Sequence, residues 1–148
     1  MFIFYTSGGV KPLKKTLKPS VVQSKSSNVG SYIGKYYVTT YYTPVRNQKK
    51  YVAGSYRSDY KINCWGDCLL TASEYKLKHN DAFKILACPS SFKFGTKLRL
   101  ETSDGVIIAQ CEDRGGAIKG KRLDLWAGIG DDAWIGRYSG YAKVHIIK

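Results

Sequence analysis

Apolar and polar positions alternate with period two in several short stretches, most of them in the second half of the chain. Residues 97–101 read Lys-Leu-Arg-Leu-Glu, the pattern of a strand with one buried face. Residues 36–42, Tyr-Tyr-Val-Thr-Thr-Tyr-Tyr, are dense in β-forming side chains and end at Thr43-Pro44, which predicts a strand and its stop. Residues 84–88 predict another, halted by Pro89. The mostly apolar run 106–112 predicts a strand buried on both faces. Residues 122–126 and 142–147 complete the set, and Ser103-Asp104-Gly105 is a turn signal. A short strand is expected over 69–72. Two helical turns are expected over 131–138, with Asp131 and Asp132 near the positive helix start. Residues 45–68 are polar, contain Gly54 and Gly66, and predict a long loop. There is no internal repeat. Many short strands joined by turns predict a mainly β domain, a small closed barrel.

Residues 1–34 lack this periodicity. They are rich in Ser, Lys, Gly and Val, interrupted by Pro12 and Pro19, and predict a flexible basic arm or linker. The organised domain is expected over 35–148. A chain of 148 residues fits one such domain.

Charge narrows the partners. The 24 basic and 11 acidic side chains leave a net +13. The arm holds five lysines and no acid, and the domain carries the remaining net +8. This balance favours an acidic polymer: nucleic acid, an anionic envelope polymer or a membrane surface. No apolar run approaches the roughly 18 residues of a membrane helix. The apolar start Met1–Tyr5 is too short for the apolar region of a signal peptide. Zinc-finger spacing and an RNA-recognition signature are absent from the sequence, so specific nucleic-acid binding rests on charge alone.

The densest chemistry lies between Cys111 and Gly130. Asp113 ends the apolar run and meets Gly115-Gly116, where glycines permit positive φ or close approach of a ligand to the backbone. Asp124 sits between Leu123 and Leu125, so period two turns it away from the leucine face. An acid in an apolar strand is costly unless paired, hydrated or functional. Two carboxylates sharing one cleft raise the pKa of one of them, which suits proton donation to a glycosidic oxygen. The same spacing also fits structural ion pairs, Asp124 with Arg122 or Asp113 with Lys119.

The segment Asp113-Arg-Gly-Gly-Ala-Ile-Lys-Gly-Lys-Arg-Leu-Asp124-Leu-Trp126 resembles the signature of the three-aspartate (3D) domain and the catalytic end of membrane-bound lytic transglycosylase A. Thr39–Pro44 resembles the opening strand of that family. Thr71-Ala-Ser73 resembles its Thr-Ala-Ser-Gly segment, with Glu74 in place of the glycine. Residues 87–96 resemble its Asp-Pro…Pro-x-Gly-Thr segment, and residues 128–146 its closing elements. The resemblance runs in order over about residues 36–147. It implies a six-stranded double-psi β-barrel with one or two short helices, a fold shared with rare lipoprotein A-like proteins and expansins.

The resemblance also implies an activity. The family cleaves the glycan strand of peptidoglycan between N-acetylmuramic acid and N-acetylglucosamine without water, leaving 1,6-anhydro ends. It needs neither metal nor cofactor. Carried over residue by residue, Asp113 becomes the acid/base and Asp124 the group that tunes it or stabilises positive charge. Thr40, Tyr42, Thr71, Ser73, Gly115, Gly116, Lys119 and Trp126 become substrate-binding positions. The implied partners are peptidoglycan strands and anionic wall polymers, bound by a monomer. The implied location is outside the cytoplasm, in the cell envelope, secreted or phage-borne. One departure matters: Cys88 stands where the family has its first aspartate. An expansin-like module that binds wall glycan without cleaving it is therefore the alternative reading.

Four cysteines allow three pairings. Cys64 and Cys68 form a loop pair, and the resemblance brings Cys88 near Cys111 or a loop cysteine. Free thiols and a four-cysteine zinc site are the other arrangements, though the spacings do not form two short knuckles. Period two puts Cys111 and Asp113 on one strand face. Trp65, in a loop, and Trp126 are candidates to line a glycan groove, and Trp134 is expected in the core. His79 and His145 have no partner at metal-ligand spacing.

Overall fold

The computed structural model describes residues 30–148. The arm predicted over 1–34 therefore lies almost wholly outside the described residues. Its last part does not: the first strand already begins at Ser31. Six strands appear in chain order: β1 (Ser31–Thr43), β2 (Ile85–Ala87), β3 (Lys97–Thr102), β4 (Gly105–Asp113), β5 (Arg122–Ile129) and β6 (Gly140–Ile147). They close into a barrel in the order β1-β5-β2-β4-β3-β6. Two contacts are parallel, β1 with β5 and β2 with β4, and the other four are antiparallel. Closure leaves no sheet edge unpaired.

Alternation explains the core. Leu98 and Leu100 on β3, Ile107, Ala109 and Cys111 on β4, Leu123 and Leu125 on β5, and Ala142 and Val144 on β6 fill the barrel with Tyr36, Val38, Leu86 and Phe92. Each fully buried leucine contributes about 1.5–3 kcal/mol. A second cluster, Leu77, Ile85 and Trp126, lies on the opposite face of β2 and β5, with Tyr41, Leu69, Tyr75 and Ile129 packed against it. Strands β2 and β5 are thus covered on both sides. Strand β4 is not buried on both faces as its apolar run predicts: Val106 and Ile108 are exposed, Gln110 is half-buried, and only Glu112 on that face is buried.

Three expected elements differ. The polar stretch 45–68 contains an α-helix, α1 (Tyr56–Asn63), whose single buried residue is Asp59 and whose N-cap Ser55 accepts from the Ser58 amide. A helix burying one polar residue has no apolar stripe to betray it. Residues 69–72 form no strand, only one bridge between Leu70 and Lys76. Residues 131–138 form no α-helix: a 3-10 turn, Gly130–Asp132, ends at Ala133, and turns follow.

Candidate active site

The two aspartates meet through strand register. Ala87 on β2 pairs with Asp113 on one side and with Asp124 on the other, and Asp124 in turn pairs with Thr39 on β1. Thr39, Asp124, Ala87 and Asp113 therefore form one row across four strands. Strand spacing puts the two aspartate Cα atoms about 10 Å apart, with a methyl group between them. The register of β2 with β4 slips between Leu86 and Ala87. This irregularity undoes the strict alternation: Cys111 stays in the barrel core while Asp113 lines an open cleft.

That cleft has a volume of about 530 Å³. Asp113, Asp124 and Tyr41 line it with polar atoms, around the Ala87 methyl. Gly115 and Gly116 are one wall, and the end of α1 with the Cys64–Cys68 loop is the other. Neither glycine adopts positive φ. Gly115 is needed for space, since a Cβ there would come within 2.9 Å of Ile118 Cγ1. Trp65 stands on the loop wall with its side chain 97% exposed.

The carboxylates have unequal surroundings. Asp113 accepts from the Tyr41 hydroxyl at 2.7 Å, the Ala72 amide at 2.9 Å and the Arg114 amide at 2.9 Å. Asp124 accepts from the Thr39 hydroxyl at 2.8 Å. Burial pushes the Asp124 carboxyl above its usual range; the Thr39 hydrogen bond and the Arg122 charge oppose this, and the Asp113 charge adds to it. Burial and the adjoining Asp113 carboxylate hold the Tyr41 phenol protonated well above its ordinary range. Neither aspartate is in an ion pair among the described residues, so the pairs with Arg122 and Lys119 do not form.

The other expected positions divide. Thr71, Gly115 and Gly116 line the cleft. Ser73 stands just behind it, its hydroxyl donating to Glu112 Oε1 at 2.5 Å and sharing a hydrogen bond with Thr71. Lys119 is exposed, outside the lining. Thr40 points elsewhere and accepts from the Gly136 amide at 2.5 Å. Tyr42 is buried behind the cleft, donating to Asp59. Trp126 is wholly buried, its indole N–H on Thr43 Oγ1 at 3.1 Å. It packs the outer cluster and cannot meet a glycan. Trp134 is only half-buried, beneath the Arg137 guanidinium at 4.6 Å. His79 is exposed and His145 is buried against Tyr32. Tyr41 and the Ala72 amide were not expected in the site. The Tyr41-Tyr42 pair reads identically in sequence, and one residue of phase decides which ring enters the cleft.

All four cysteines are paired, Cys64 with Cys68 and Cys88 with Cys111. Cys88 is buried in the barrel, so it neither replaces a carboxylate nor ionises. No group of three or more His, Cys, Asp or Glu among the described residues is arranged to hold a metal.

A family model described as the 3D domain matches residues 86–148. No curated relative matches the chain. Among solved structures, MltA from Escherichia coli is similar at 28% identity with a TM-score of 0.46, over 53% of this chain and 27% of that one. The same enzyme with bound chitohexaose is similar at 27% identity and a TM-score of 0.46, with the same coverage. The chain thus corresponds to about a quarter of that enzyme's length.

Proposed function

We propose, from the match of residues 86–148 to the 3D domain, that the protein is a peptidoglycan lytic transglycosylase in which Asp124 is the acid and base. The observation that carries this reading is the inequality of the two carboxyls. An acid must hold its proton in the resting enzyme. Asp124 is desolvated, which raises its pKa, and it accepts one hydrogen bond, whereas Asp113 is held by three donors. This reverses the roles that the family resemblance implies.

In the proposed reaction, Asp124 protonates the glycosidic oxygen as the bond from C1 of the muramic residue breaks. Positive charge develops on the ring, and the Asp113 carboxylate, fixed by Tyr41, stabilises it. The Asp124 carboxylate then takes the proton of the C6 hydroxyl, and the C6 oxygen bonds to C1. Atoms balance without water, and the product carries a 1,6-anhydro ring. Trp65 offers an exposed indole face for a sugar at the cleft rim. Two disulfides fit an oxidising compartment, which supports action outside the cytoplasm. No helix of the described residues is long and apolar enough to cross a membrane.

The test is digestion of purified sacculi with product analysis by mass spectrometry. Wild type is expected to release 1,6-anhydro ends, and Asp124→Asn to lower the rate by at least about 100-fold. Reducing ends would instead identify a hydrolase. The buried Cys88–Cys111 disulfide, in place of the family's first aspartate, favours the second reading, a wall-glycan-binding module. Retention on sacculi with no soluble product would support it.

A further inference from the structure

The excursion between β1 and β2 carries a second concavity, distinct from the cleft. It is an open groove of about 790 Å³ lined by Arg46, Ser55, Tyr56, Arg57, Tyr60 and Lys61. Three of its six residues are cations, and none of the three is in an ion pair among the described residues. Asp59, the sole acid between residues 45 and 61, forms no ion pair with any of them. It is fully buried and its carboxylate accepts from the Tyr42 hydroxyl and the Val52 and Ala53 amides. The Arg46 guanidinium is already stacked on the Tyr56 ring at 4.4 Å. Such stacking orients a planar fork of donors and reduces the entropy lost when an anion binds.

Position gives the groove its meaning. Helix α1 presents Tyr56, Arg57, Tyr60 and Lys61 to the groove, and its next residues, Ile62 and Asn63, line the cleft. The step from Lys61 to Ile62 is about 1.5 Å along the helix axis. The Tyr60 hydroxyl donates to the Gly66 carbonyl at 2.7 Å, which ties the groove to the loop that bears Trp65. A strand lying in the cleft would thus run beside a cluster of two guanidiniums and an ammonium that make no ion pair among the described residues. Two arginines favour planar anions that accept bidentate hydrogen bonds, as carboxylates do.

We propose that this groove binds carboxylate groups carried as substituents on the glycan strand in the cleft, and so selects strands bearing acidic peptides over neutral chains. This rests on the glycan-cleaving reading above and adds the part of the substrate that is recognised. The test measures binding and turnover separately. Affinity is measured by tryptophan fluorescence for two probes, a neutral hexamer of N-acetylglucosamine and glycan strands with their peptides intact, at low and at physiological salt. The triple variant Arg46→Gln/Arg57→Gln/Lys61→Gln is compared with wild type.

The expected result is a loss of about tenfold in affinity for the peptide-bearing strands, the size of a few partly exposed charge contacts. The salt dependence of that binding should flatten. Affinity for the neutral hexamer should stay within about twofold, which also shows that the variant is folded. Equal affinities of variant and wild type for the peptide-bearing strands overturn the proposal, as does an equal loss for both probes. A duplex oligonucleotide is the third probe: loss of its binding alone would assign the groove to nucleic acid and overturn the proposal. Selective binding without 1,6-anhydro products would sink the catalytic reading and leave the groove assignment standing. Products with no selectivity would do the reverse.

Discussion

Tyr41 shows how much one side chain decides. Its phenol, held protonated by burial and the Asp113 carboxylate, donates to Asp113 and so fixes the orientation of that carboxyl group. Tyr41→Phe removes a hydrogen bond to a charged group, worth about 1.5–3 kcal/mol. Turnover of sacculi is expected to fall about tenfold or more while retention on sacculi is kept; unchanged turnover would exclude Tyr41 from the mechanism. Asp124 makes a prediction about stability. Its pKa is raised in the folded protein, so its stabilising contribution is complete below the unfolded value near 4 and is lost as pH rises through the folded value. Asp124→Asn does not titrate. Its melting temperature relative to wild type should be higher at pH 7, and the difference should shrink on acidification below about pH 4. A pH-independent difference would contradict the assignment of a raised pKa.

At the scale of elements, the cleft wall depends on the buried Asp59. Burial pushes its pKa up, but the hydrogen bonds from Tyr42, Ala53 and Val52 outweigh this and leave it below the usual range. Such a group stabilises the fold above the unfolded pKa, and that contribution is lost as pH falls through the folded one. Asp59→Asn is expected to cost about 2–3 kcal/mol at neutral pH, with the gap from wild type closing in acid, as denaturant titrations at pH 7 and pH 3 would read. The residues of α1 could not announce a helix, because what it buries is a carboxylate. The strands were legible because their alternation comes from burial itself: Leu98 and Leu100 or Leu123 and Leu125 face the core in both the sequence pattern and the fold. Strand β4 was only partly legible. The register slip opposite Ala87, which separates Asp113 from Cys111, leaves no mark in composition.

Over the whole molecule the two disulfides have different reach. Cys88–Cys111 spans 23 residues and joins β4 to the residue after β2 inside the barrel core. Cys64–Cys68 spans four residues of one cleft wall. Removing the first with paired Cys→Ala substitutions is expected to cost about 2–4 kcal/mol, and thermal unfolding of both double variants would check that the second costs much less. The net charge of +13 told only of an acidic polymer; the structure separates a cleft that holds Asp67, Asp113 and Asp124 from a groove beside it whose three cations make no ion pair among the described residues. The sequence by itself determined the β class, most strand positions and the pair Asp113 and Asp124, because alternation and turn residues are local properties. Which carboxyl is the more desolvated, which tyrosine enters the cleft and which tryptophan meets solvent were decided by the tertiary structure. Those depend on register between strands distant in sequence, and on the burial and hydrogen bonds that register creates.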